Sequence, residues 1–267
     1  MDSFWRLYIL VGKRHMQPSR AAQWRARLIG DDVSEKRNIY YTYIRGRNDI
    51  PRTILLTIRA DLPRTYSALH WVRENTTRLE ALLVSYAAVH RGDSYLQGFN
   101  YIMTLLLYTF KEEQHADADT WWCFARIVGL IRPLMPDFNV AWFHWLRRHW
   151  ITNFFTKLKK HRPRMASILD NDVDAFSSLI TCRWFMIWFA QTVNFEEIFE
   201  LWDFIIEQPP RMLMKVYTML TYEIVYDAAP TLTYQWAQEP VGLMHAFLSI
   251  RVKTVSSAIE RVRKNLK

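Results

Sequence analysis

The sequence predicts an all-α fold, a single compact multi-helix domain over residues 1–267. Three observations carry that expectation. Nearly every patterned segment repeats with helical period, strand alternation of useful length is missing, and the 267 residues include only 7 glycines. Few glycines weigh against sandwiches and barrels, whose tight turns need φ > 0. Half of the residues are hydrophobic and 15% are aromatic, enough apolar surface to offset the ordering entropy of folding.

In chain order, the first unusual stretch is Ile58-Arg59-Ala60-Asp61-Leu62-Pro63-Arg64-Thr65. Pro63 fixes its own φ and disfavours helix at Leu62, so residues 61–64 are expected to form a rigid, non-helical connector. Leu79, Leu82, Leu83, Tyr86 and Ala87 follow the i, i+3, i+4, i+7, i+8 spacing of an amphipathic helix. Thr77 with Glu80 three residues on reads as a capping box opening that helix. Gly92-Asp93-Ser94 breaks the pattern, and Ser94-Tyr95-Leu96-Gln97-Gly98-Phe99-Asn100 turns into an apolar helix over Phe99–Phe110. Asp119 and Thr120 are expected to open the next helix, which carries Trp122, Phe124, Ile127 and Val128 and ends near Pro133 and Pro136. Later helices are expected over 140–160, 175–191, 195–207 and 212–227, punctuated by Pro209-Pro210 and Pro230. The last, over 252–265 within a basic 251–267 tail, is amphipathic.

Composition excludes several classes. Two cysteines cannot build a disulfide framework, and Cys123 and Cys182, each among apolar neighbours, read as buried inert thiols. No phosphate loop, dinucleotide fingerprint or zinc-protease motif is present, and His144 and His149 lie five apart, off a common helical face, so no metal site is expected. The 4–11 apolar run is broken by Arg6 and followed by no small-residue cleavage site. No segment reaches the ~20 apolar residues of a membrane span. The expected location is cytoplasmic. That makes the Asn75 sequon and the Arg91-Gly92-Asp93 tripeptide chance matches.

Lys and Arg number 35 against 26 acidic residues, a formal charge of +9. The densest cluster is Lys157, Lys159, Lys160, His161, Arg162 and Arg164, with the tail next. These read first as solvated faces, with weak contact to an anionic endomembrane surface as the alternative. Nucleic acid is not an expected partner, since neither a recognition helix nor an aromatic platform is visible.

The two polar stretches carry the chemistry. An arginine on a pre-organised loop can present its planar fork to a phosphate, and an uncharged amide at a helix mouth can orient water. Each residue also has a plain role open to it: Asp61 and Asn100 as caps, Arg64 as an ion-pair partner, Gln97 as a capping amide. Taken together, Ile58-x-x-Asp61-x-x-Arg64 and, thirty residues on, Tyr95-x-Gln97 resemble the paired fingerprint of the TBC-domain family, GTPase-activating proteins for Rab GTPases. Arg20-x-x-x-Trp24 with Leu28 to Gly30, Thr120-Trp121-Trp122-Cys123-Phe124, Trp184 with Phe189, and Leu201-Trp202-Asp203 follow in family order, so the resemblance covers roughly residues 15–250. The chain departs from the family's wording at Ser94, Leu96 and Ser67, where glycine, cysteine and proline are usual.

The resemblance implies a Rab GTPase in its GTP-bound state as partner, with Arg64 and Gln97 acting catalytically in trans. Arg64 would neutralise charge on the transferring phosphate while Gln97 orients the attacking water. Asp61, Tyr95, Ile58, Thr65, Gly98 and Asn100 would support them. It also implies no cofactor for this chain, GTP and Mg²⁺ being held by the partner, and no independent turnover. A non-catalytic Rab-binding scaffold is the alternative.

Overall fold

Arg25 and Arg37 both reach one carboxylate, Asp119, that is fully buried, and this charge cluster ties the first two helices to the centre of the molecule. The computed structural model describes residues 18–90, 95–132, 156–161, 163, 166–167, 184–236 and 255–266. These contain helices α1 (Arg20–Leu28), α2 (Val33–Ile39), α3 (Arg52–Asp61), α4 (His70–Glu74), α5 (Thr76–Val89), α6 (Phe99–Phe110), α7 (Ala116–Ile131), α8 (Phe195–Ile206), α9 (Leu213–Trp236) and α10 (Ser256–Leu266). A π-helical turn, Tyr40–Ile44, extends α2, and no strand occurs among the described residues.

Helix α6 is the axis. Its apolar run buries Phe99, Ile102, Met103, Leu105, Leu106, Leu107 and Phe110, and it packs against α5, α7 and α1. A helix apolar on most faces must lie among others, since its surface has no polar side to give to water. Helix α5 buries all five residues its spacing selects, together with Val84, Ser85 and Ala88. On the other side α8 packs on α1 and α10, and α9 packs on α10. Trp24 joins the two groups: its Nε1 donates to Asp203 at 2.7 Å, Arg20 Nε reaches the same carboxylate at 3.0 Å, and its ring lies 5.6 Å from that of Trp202.

Several expectations need correction. Residues 62–64 are not a non-helical connector: α3 runs through Asp61 and passes directly into a 3₁₀ turn, Leu62–Arg64. Pro63 sits in the first turn of that new helix, where its missing N–H costs nothing. Thr77 and Glu80 form no capping box, because α5 starts at Thr76 and Glu80 instead accepts from Arg59 at 2.8 Å, holding α3 onto α5. Helix α7 opens at Ala116 rather than Asp119, whose carboxylate is committed to the two arginines at 2.8 and 2.6 Å.

The expected 175–191 helix does not run to its end as an α-helix. From Trp184 the chain makes a π-type turn, Phe189 N–H donating to Trp184 C=O at 2.8 Å, and Trp188 and Phe189 adopt φ of 49° and 63°. Trp184, Phe185, Ile187, Trp188, Phe189 and Ala190 are all buried, more apolar surface than one helical stripe can bury. Pro230 does not end its helix either, since α9 continues to Trp236. Helix α8 lies where expected, and of the 140–160 helix only its helical end from 156 is described. The 4–11 run, Ser94, the 91–93 tripeptide, His144, His149, Arg162, Arg164 and Cys182 lie outside the described residues.

Candidate functional site

The 3₁₀ turn ends at Arg64, whose side chain is 56% exposed, whereas the Asp61 side chain one turn earlier is 2% exposed. Arg64 Nη2 donates to Asp61 Oδ1. Spacing i, i+3 places the pair on one face of the turn, and a carboxylate with its back to the core is a fixed point against which a long side chain can be braced.

Asp61 serves a second partner. Tyr95 Oη donates to Asp61 Oδ2 at 2.7 Å and lies 3.3 Å from Asn100 Oδ1. Burial, with the Asp61 hydrogen bond second, pushes the Tyr95 phenol far above its ordinary range, so it stays a donor. Asn100, buried in the first turn of α6, accepts from Gly98 N–H at 3.0 Å and donates from Nδ2 to Thr65 Oγ1 at 2.6 Å. Thr65 Oγ1 in turn donates to Asp61 C=O at 2.8 Å. The arginine turn and the glutamine turn are thus stitched by a closed network whose members are Asp61, Tyr95, Asn100 and Thr65. Ile58, fully buried, anchors α3 beneath it.

Gln97 stands on the outside of this network. It is exposed, in the turn that leads into α6, while Gly98 behind it is buried. Gly98 has φ +112°, and a Cβ there would lie 2.5 Å from Ile187 Cγ2. Glycine is therefore required twice over, by conformation and by the close approach of the 184–192 segment. Leu96 is half-buried against the core, and Ser67 accepts from Arg73 Nη1 through its carbonyl at 2.7 Å.

Beside Arg64 opens a cleft of about 450 Å³ lined by Tyr66, Tyr101, Gln191, Asn194, Phe195 and Glu196 among others. Residues that motif reading missed form its floor. Tyr66 has φ +43° and donates from its hydroxyl to Ala190 C=O at 2.7 Å, tying the arginine loop to the aromatic segment. Its ring packs edge-on against Tyr101 and Phe195, 5.1 and 5.0 Å between centroids. Tyr101 Oη donates to Arg64 C=O at 3.3 Å. The available signal was Tyr101 itself, a polar-tipped side chain in an otherwise apolar run. An exposed guanidinium and an exposed amide at one network beside an aromatic-floored cleft suit a phosphate-bearing partner reached from outside.

Cys123 is fully buried, and burial pushes its thiol well up, as an inert core residue requires. Among the described residues no cluster of metal-ligating side chains occurs, and no helix is long and apolar enough to cross a membrane.

The fold agrees with what the chain is similar to. Its backbone superposes on the crystal structure of the Ypt/Rab-GAP domain of Gyp1p with a TM-score of 0.64, covering 93% of this chain and 88% of that one at 15% identity, a likeness of fold. Growth hormone-regulated TBC protein 6 of Caenorhabditis elegans is 24% identical over 172 residues, 64% of this chain and 49% of that protein. Human TBC1 domain family member 17 is 25% identical over 125 residues, 47% of this chain and 18% of that protein. The chain thus spans about half, or less, of the length of these relatives. The family model described as Rab-GTPase-TBC domain matches residues 8–224, an interval that contains both turns of the site. On that match, with the all-helical fold beneath it, the chain belongs to the Rab-GTPase-TBC domain family.

Proposed function

We propose that this chain accelerates GTP hydrolysis on a Rab-family GTPase by supplying Arg64 and Gln97 to the partner's nucleotide site. The observation that carries the proposal is that one hydrogen-bond network links the turn bearing the exposed Arg64 to the turn bearing the exposed Gln97. Hydrolysis of a phosphoanhydride asks for charge stabilisation and a placed water, with little covalent chemistry. Arg64 meets the first demand. Asp61 holds Nη2, and the other N–H groups sit on a half-exposed side chain, free in direction to reach an anion. Arginine supplied in this way contributes ~10³–10⁵ in rate, the handicap it removes being the growing negative charge on the transferring group. Gln97 meets the second demand, its amide accepting from and donating to one water.

The pre-organisation is the Asp61–Tyr95–Asn100–Thr65 network, which fixes the relative position of the two turns before the partner arrives. GTP and its Mg²⁺ belong to the GTPase in this reading, and the chain is an activator rather than an enzyme turning over its own substrate. The place of action is the cytoplasm or the cytoplasmic surface of an endomembrane. The test is phosphate release from a panel of GTP-loaded Rab proteins with substoichiometric amounts of this chain. Acceleration of at least one member, lost in Arg64→Ala, is expected. Tight binding of a GTP-loaded Rab with no acceleration across the panel would instead make the chain a scaffold.

A further inference from the structure

Basic residues far apart in sequence meet at a cleft that, among the described residues, shares no lining residue with the one beside Arg64. It has a volume of about 590 Å³ and is lined by Thr156, Lys157, Lys215, Thr218, Tyr222 and Asn265 among others. The helical stretch from 156, α9 and the end of α10 each contribute to it. Lys157 Nζ sits 5.5 Å from the centre of the Tyr222 ring, so the aromatic side chain forms one wall beneath the ammonium. Both lysines are exposed. Among the described residues no carboxylate lies within ion-pair reach of either.

The neighbouring charges behave differently. Arg261 is neutralised by Glu223 and Asp227, and Arg263 lies 3.7 Å from Glu207. Arg261 and Arg263 are therefore spent within the fold, while among the described residues Lys157 and Lys215 have no such counterion. Asn265 Nδ2 donates one hydrogen to Arg261 C=O at 2.9 Å and has a second to offer.

We propose that this cleft binds a phosphate monoester, held by Lys157 and Lys215 from two sides. Lysine suits such a group as a compact point charge. Two elements converging on one concave site distinguish this from the diffuse attraction that a net charge of +9 exerts on any anionic surface. The group can be carried on a phosphorylated lipid headgroup or on a soluble molecule, and the experiment separates the two.

Flotation of the full chain is measured with phosphatidylcholine vesicles containing a monophosphorylated phosphatidylinositol, and with phosphatidylserine vesicles of matched charge. Inositol monophosphate is titrated in parallel by calorimetry. K157E/K215E is compared with R47E/R126E, which makes the same charge change on exposed residues of the α2–α3 loop and α7. The expected result is preference for the phosphorylated lipid and about thirtyfold weaker binding in K157E/K215E. The control pair should weaken it by less than about threefold. Saturable inositol monophosphate binding without vesicle binding keeps the site and assigns it to a soluble ligand. Equal weakening by both pairs, equal binding to phosphatidylserine, or no saturable binding in either arm overturns the proposal. Melting temperatures of both variants, expected unchanged, show that losses come from the cleft.

Discussion

At the residue scale, the site rests on groups that cannot be exchanged for near relatives. Arg64→Lys keeps the charge but loses the planar fork that can hold Asp61 and a phosphate at once. Stimulated hydrolysis should fall by at least about a hundredfold, with an unchanged melting curve. Activity within a few-fold of wild type would remove Arg64 from its role. Asn100 was legible as a cap at a helix mouth, but the structure gives it more: a buried amide spanning Gly98 and Thr65. Asn100→Ala should therefore cost about 2–3 kcal/mol by denaturant unfolding, above the ~1 kcal/mol of a lost cap, because Thr65 and Gly98 are left with unmet groups. Gly98→Ala meets both the φ of +112° and Ile187, and should destabilise by about 2 kcal/mol or more.

At the element scale, what was legible followed from periodicity, and what was not followed from burial that overrides it. The α5 and α8 stripes could be read because each apolar set matches 3.6 residues per turn, and α6 because its apolar run is long enough for a buried helix. The 184–192 segment could not, since an unbroken apolar run carries no phase, and only the fold shows that it turns over and presses Ile187 onto Gly98. Pro63 was legible as a rigid point, yet whether rigidity takes the form of a coil or a 3₁₀ turn depends on what Leu62 packs against, and Leu62 is buried. The role of Asp119 was hidden for a like reason: a carboxylate three residues into a helix looks like a terminal charge until Arg25 and Arg37 arrive from elsewhere. The tail was legible as amphipathic, but its apolar face is closed: Val255, Ala258, Ile259 and Val262 are buried, and α10 packs on α8 and α9. Deleting 255–267 should lower the melting temperature and soluble yield, whereas a tail serving only a membrane would leave both unchanged.

For the whole molecule, buried phenols set an alkaline limit. Burial raises the pKa of Tyr40, Tyr66, Tyr95 and Tyr217 above the ordinary 10.0. Unfolded phenols lose their protons first as pH rises through about 10, so the unfolded state then binds fewer protons and stability falls; below that the contribution is fully present. Denaturant midpoints should be insensitive to these groups up to about pH 10 and fall above it. The central claim is that one fold carries both halves of the chemistry to the partner. It is tested most directly by single-turnover GTP hydrolysis on a responsive Rab and on the same Rab with its own water-orienting glutamine replaced by leucine. If Gln97 supplies the amide in trans, wild-type chain stimulates both forms and Gln97→Ala stimulates neither. Full stimulation of the unmodified Rab by Gln97→Ala, with none of the leucine form by wild type, would contradict the account and leave Arg64 acting alone.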